Sequence, residues 1–123
     1  MKAISIKQPW AWAIFNGKPV ENRTWYSHYR GELLIHASKK FDYDGYIWLT
    51  KNIYKPSDVP RVQDFEQGGF VGKVKMVDCV EYHPSPFFFG PWGFVFANVK
   101  SIDFIPYKGQ QGIFNVPDEI IPL

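Results

Sequence analysis

The densest group of chemically capable residues lies near the start of the chain: Gln8, Lys18, Glu21, Asn22 and Arg23. Glu21 and Arg23 stand at alternate positions, so on an extended chain they point to the same side. Lys18 sits in a turn between Gly17 and Pro19. A carboxylate flanked by two cations can hold an anionic or amide-bearing ligand. It can equally hold itself together as a surface ion-pair cluster, worth ~0–1 kcal/mol per exposed pair. Spacing alone favours the second reading, because charged strand faces are common. One hydrolytic scheme is open to the cluster: Lys18 polarises a carbonyl while Glu21 activates water as a general base.

Aromatic residues make up 19% of the chain, too many for a core alone. Trp10, Trp25, Trp92 and the run Phe87-Phe88-Phe89 supply faces on which a nucleobase can stack, at ~1–3 kcal/mol per base. Lys18, Arg23, Lys39 and Lys40 are the cations that can meet phosphates beside them. Phe94, Phe96 and Phe114 read as core. The Phe87–Phe89 run differs, because three consecutive rings in an irregular loop cannot all point inward. At least one belongs on the rim of a cleft or against another molecule.

The three histidines, His28, His36 and His83, are scattered. No H-E-x-x-H or paired-cysteine spacing accompanies them, so no metal site is expected. No phosphate loop is present, and no cofactor is expected. Cys79 lies inside an apolar strand and reads as inert packing.

Short elements must position these residues. Ala3–Lys7 alternates as a first strand, and Pro9–Asn16 reads as a short helix that Gly17 ends in the left-handed conformation. Val20–Tyr26 and Gly31–Ala37 are strands, the second with Leu33, Leu34 and Ile35 buried on both faces. Asp42 caps a second helix running to Tyr54, and Pro56 stops it. Residues 55–67 form a surface loop. Phe70–Tyr82 and Gly93–Ile105 are long strands; two prolines bar 83–90 from a central one. Gly112–Val116 is a short apolar end. Several strands and two helices in so short a chain predict an α+β fold, a small β-barrel with helices at its side or mouth.

With 123 residues, the chain suits one domain over 1–123. Its net charge of +2, from 14 basic and 12 acidic residues, is not that of a strongly electrostatic duplex binder. A nucleic-acid partner must be held by a local patch and by stacking. The single cysteine permits no intramolecular disulfide, which points to the cytoplasm. No stretch approaches the ~20 apolar residues of a membrane span, and residues 1–7 lack a signal peptide's apolar run.

Several runs together resemble one family. Ile4-Ser5-Ile6-Lys7-Gln8-Pro9-Trp10, followed by Gly17-Lys18-Pro19-Val20-Glu21-Asn22-Arg23-Thr24-Trp25, resembles the opening of ASCH domains of the PUA-like superfamily. Their hallmark is G-x-K-x-x-E-x-R, and Lys18, Glu21 and Arg23 match its last three fixed positions. Asn16 stands at the glycine position, with Gly17 next to it. The run from Gly31 to Lys39 is similar to the family strand that ends in histidine-alanine-serine. Phe88–Val99 is similar to its penultimate strand, and Lys108–Val116 to its C-terminal signature.

The resemblance implies a PUA-like barrel with a cleft beside the first helix. It implies a ligand that is RNA, a nucleotide-like small molecule or a modified base. Taken with the residue chemistry above, the resemblance makes Gln8, Trp10, Arg23, Trp25, His36, Ser38, Lys39 and Trp92 the candidate ligand-binding residues, with Lys18 and Glu21 as the candidate catalytic pair. It also reverses the preference for a mere surface ion-pair cluster. One branch of the family hydrolyses acylated cytidine with a lysine, a threonine three residues later and a distant glutamate. Lys18 matches the lysine, but Glu21 stands at the threonine position. Thr24 is nearby with the wrong strand parity. The expectation is therefore an RNA- or nucleotide-binding ASCH domain. A metal-independent hydrolase of RNA or of a modified nucleoside is the alternative.

Overall fold

The computed structural model describes residues 1–121. Six strands form one mixed sheet: β1 (Lys2–Gln8), β2 (Val20–Arg23), β3 (Gly31–Phe41), β4 (Gly69–Val80), β5 (Trp92–Pro106) and β6 (Ile113–Asn115). Their order is β2-β5-β4-β3-β1-β6. Only β1 and β3 run parallel; every other pair is antiparallel. Two helices, α1 (Trp10–Ile14) and α2 (Tyr43–Asn52), and three short 3-10 turns complete the α+β fold.

The expected closed barrel is not formed. Closure would require β2 to pair with β6, and these edge strands have only four and three residues. β6 covers β1 only along Lys2–Ile4, which leaves the edge of β1 open from Ser5 onward. There a side chain replaces a strand: Arg23 Nη2 on β2 donates to Ser5 O on β1 at 3.0 Å. The sheet is thus curled far enough for its two ends to meet through a guanidinium, and a cleft opens at that seam.

Alternation along the strands fills the interior. Leu33 and Ile35 join Ile4, Ile6, Val74, Met76, Phe94 and Phe96 in the main core. Leu34, of opposite parity, packs with Ala3, Phe70 and Phe114 on the other face. All three consecutive β3 residues are fully buried, as a strand covered on both sides requires.

Most boundaries differ from the sequence expectation by one or two residues, and three departures bear on the site. α1 is one short stretch and stops before Phe15. β2 ends at Arg23 and not at Tyr26: Arg23 pairs with Trp92, the first residue of β5, and Pro91 before it has no N–H to continue the ladder. β3 runs four residues past Ala37 because β1 pairs Gln8 with Phe41 beyond a register shift.

Candidate functional site

Two helix termini and β2 build the site. Gly17 adopts φ 107°, and the next N–H, that of Lys18, closes on Ala13 O at 2.9 Å. This glycine-dependent helix end fixes the Lys18 backbone. The Lys18 side chain is 1% exposed, and its Nζ meets Glu21 Oε1 at 2.5 Å. The second Glu21 oxygen accepts from Arg23 Nη2 at 3.1 Å. Glu21 and Arg23 lie opposite Phe94 and Trp92, so they share the inward face of the curled sheet. The Lys18 ammonium also stands 5.4 Å from the centre of the Trp10 ring. Arg23 is not fully used: among the described residues its buried Nε has no acceptor. An unpaired buried donor costs ~1–3 kcal/mol.

Around this triad lies a cleft of about 1340 Å³. Glu21 and Arg23 form part of its floor, Trp10 and Trp25 part of its wall, and Ser38, Lys39 and Lys40 an opposite rim. Trp10 is oriented by Asp42, whose Oδ2 accepts from the indole Nε1 at 2.8 Å. The other Asp42 oxygen caps α2, accepting from Gly45 N at 2.9 Å. Partial burial pushes the Asp42 carboxyl up. The Trp10 and Gly45 hydrogen bonds, with Lys7 nearby, outweigh that and hold it below the usual value. Trp25 rests edge-on against Phe94 with 36% of its surface exposed.

His36 is a structural brace for one wall. Tyr107 O lies 2.6 Å from Nε2, and a carbonyl only accepts, so Nε2 carries a hydrogen. Ser5 Oγ lies 2.9 Å from Nδ1 and can supply the other bond of a neutral ring. This pins the segment after β5, where Gly109 passes so close that a Cβ would lie 2.7 Å from the imidazole. The residues Lys108, Gln110 and Gln111 thereby come to line the cleft.

The cleft does not include every expected residue. Gln8 has the parity opposite to Ser5 and Lys7 and turns away: it donates to Glu66 O at 2.9 Å and accepts from Trp12 N at 2.8 Å. Trp92 packs its ring 5.0 Å from Tyr26 and against the main core, outside the lining. Lys18 lies beneath the floor, reaching the cleft only through Glu21. Conversely, Asn22, Thr24 and the Lys108–Gln111 segment line the cleft without having been singled out as ligand-binding. For Thr24 the parity argument lapses, because β2 has already ended. The Lys108–Gln111 run carried a recognisable signature, but nothing in its spacing showed that it would fold back over β1. Among the described residues, no three His, Cys, Asp or Glu side chains gather as a metal site. No described helix is long and apolar enough to cross a membrane.

The family model for the ASCH domain matches residues 4–116. The chain belongs to the ASCH domain family. The match takes in both helices and, apart from the first two residues of β1, all six strands, and ASCH domains are PUA-like. Among curated proteins the chain is similar to activating signal cointegrator 1 of Homo sapiens and of Mus musculus, in each case 33% identical over 81 residues. Those alignments cover 63% of this chain but 14% of either relative. The relatives are thus much longer proteins that contain an ASCH-like region.

Proposed function

We infer that the ASCH cleft binds single-stranded RNA. The observation that carries this reading is the distribution of charge. Five cationic residues, Lys7, Arg23, Lys39, Lys40 and Lys108, line the cleft against two carboxylates. Both carboxylates are already engaged: Glu21 by Lys18 and Arg23, Asp42 by Trp10 and Gly45. A chain with a net charge of only +2 therefore gathers its excess in one place, beside Trp10 and Trp25. The volume of about 1340 Å³ exceeds the ~300–1,000 Å³ usual for small-molecule pockets, which favours a strand over one nucleoside. A cytoplasmic location suits such a ligand and the single cysteine.

Hydrolysis of RNA or of an acylated nucleoside is the second reading, and its support is the matched Lys18–Glu21 pair. The geometry ranks it lower. Lys18 is buried under Glu21, and both Glu21 oxygens are occupied by cationic donors. Lys18 is outside the lining and does not reach a carbonyl bound there, and Glu21 offers water only oxygens that already accept from cations.

The test is anisotropy of labelled oligoribonucleotides at low salt, with turnover of acylated nucleosides followed in parallel. Wild type is expected to bind RNA, and Lys39→Glu with Lys40→Glu is expected to weaken binding at least about tenfold. Failure to bind any RNA at low salt removes the reading. Turnover that Glu21→Gln abolishes in a folded protein would make the hydrolase reading the correct one.

A further inference from the structure

The run Phe87-Phe88-Phe89 is resolved into three different fates. Phe87 is 5% exposed and packs with Ala13, Val20 and Leu49. Phe88 is half-buried and lies over Gly93, where a Cβ would come within 2.9 Å of its ring. Phe89 is 60% exposed. A single exposed ring is ordinary in itself. What distinguishes Phe89 is how firmly it is presented and where.

Its backbone is clasped by Asn22. Asn22 Oδ1 accepts from Phe89 N at 2.8 Å and from Gly90 N at 3.0 Å, while Nδ2 donates to Phe87 O at 2.9 Å. Gly90 takes φ 71°, a left-handed turn that sets the direction of the loop. Asn22 lies between Glu21 and Arg23 on β2, so the strand that supplies the charged floor also fixes this loop. Both Asn22 and Gly90 line the cleft, which puts Phe89 immediately beyond its rim. A chain of ring contacts leads from the cleft wall to Phe89. Trp10, in the wall, lies 6.1 Å from Trp48, and Trp48 lies 5.2 Å from Phe89 at 76°. The edge contact with Trp48 steadies the Phe89 ring and leaves much of it in solvent.

We propose that Phe89, backed by Trp48, is a second stacking platform that takes a base of the RNA strand just outside the cleft. This rests on the RNA reading and extends it: the bound segment runs from the Trp10 wall over the rim at Gly90. An aromatic ring held by side-chain-to-backbone bonds loses little freedom when a base settles on it. Stacking needs only the face of a base, so the platform is indifferent to sequence. Its mark is therefore a dependence on strand length.

The experiment measures competition by uridine monophosphate and by oligouridylates of increasing length, for wild type, Phe89→Ala and Phe89→Trp. Thermal unfolding of each variant serves as the folding control; the exposed position should leave it unchanged. Phe89→Ala is expected to weaken the longer oligomers by roughly five- to a hundredfold and to leave the monophosphate unaffected. Phe89→Trp is expected to keep or tighten oligomer binding. Oligomer affinity unchanged in Phe89→Ala overturns the platform and leaves the cleft reading intact. An equal loss at every length, monophosphate included, also overturns it, since the effect would then pass through the Asn22 clasp into the cleft. A wild type that binds no oligomer removes the RNA reading and the platform with it.

Discussion

Lys18 shows how far a residue's type can mislead about its role. A lysine in a glycine-proline turn reads as an accessible cation. Here its ammonium is sealed beneath Glu21 and over Trp10. Taking both charges out of water is costly, and their attraction offsets this only while the pair is intact. Glu21→Ala therefore strands a buried ammonium, and a loss of ~3–5 kcal/mol in urea unfolding is expected. Replacing both residues together by apolar ones of similar size should cost far less. A small loss in Glu21→Ala alone would show that Lys18 escapes to solvent. The residues of the triad were legible through the ASCH hallmark, and the alternation of Glu21 and Arg23 gave their common face. The burial of Lys18 was not legible, because it depends on the Trp10 ring of α1 and Glu21 of β2 closing around the ammonium. For Gln8, the parity shared with Ile4 and Ile6 already pointed away from the cleft and was outweighed by the family run. For Trp92, parity chose the face but not the neighbour that covers the ring.

Among the elements, the junction of β3 and α2 does most to shape the cleft wall. Asp42 ends the strand, caps the helix and holds the Trp10 indole. The cap was readable from sequence, since an aspartate before a tyrosine-rich helical stretch is a standard start signal. Its second bond, to a residue on a different helix, was not. Asp42→Ala is expected to cost ~0.5–2 kcal/mol as a lost cap and to release Trp10. The carboxyl is held below its ordinary value of 3.8 in the folded protein. Its contribution is then complete above that value and is lost as the pH falls through the folded one. The stability gap between wild type and Asp42→Asn should accordingly be constant near neutrality and close in acid below the ordinary aspartate range. The assigned Trp10 indole N–H resonance should shift over the same window. A gap that closes near neutral pH would mean another group is responsible. The strands tell a similar story: long apolar runs located β3, β4 and β5, whereas the end of β2 depended on Pro91, just before a partner strand far along the chain. The open seam followed from two edge strands too short to pair.

At the scale of the whole molecule, composition understated the electrostatics. A net charge of +2 argues against broad attraction to nucleic acid. The fold concentrates cations from β1, β2, β3 and the segment after β5 into one cleft, while pairing its carboxylates internally. This arrangement sets a quantitative limit. Each phosphate neutralised on a single strand adds ~0.7 to the slope of log affinity against log salt. The five cationic residues of the cleft therefore bound that slope at about −3.5, well short of the slope of an extensive duplex binder. Stacking on Trp10, Trp25 and Phe89 is much less sensitive to salt, so an appreciable residual affinity should persist when the ionic strength is raised. Lys39→Ala is expected to make the slope shallower by about 0.7 and to do so equally for every RNA sequence, because a lysine on phosphate carries no base information. Anisotropy titrations over a range of salt concentrations measure both quantities. A slope clearly steeper than the bound would place phosphate contacts outside the cleft. The lysine-bearing β4–β5 surface, where Lys73 and Lys100 stand opposite one another, would then be the next face to mutate.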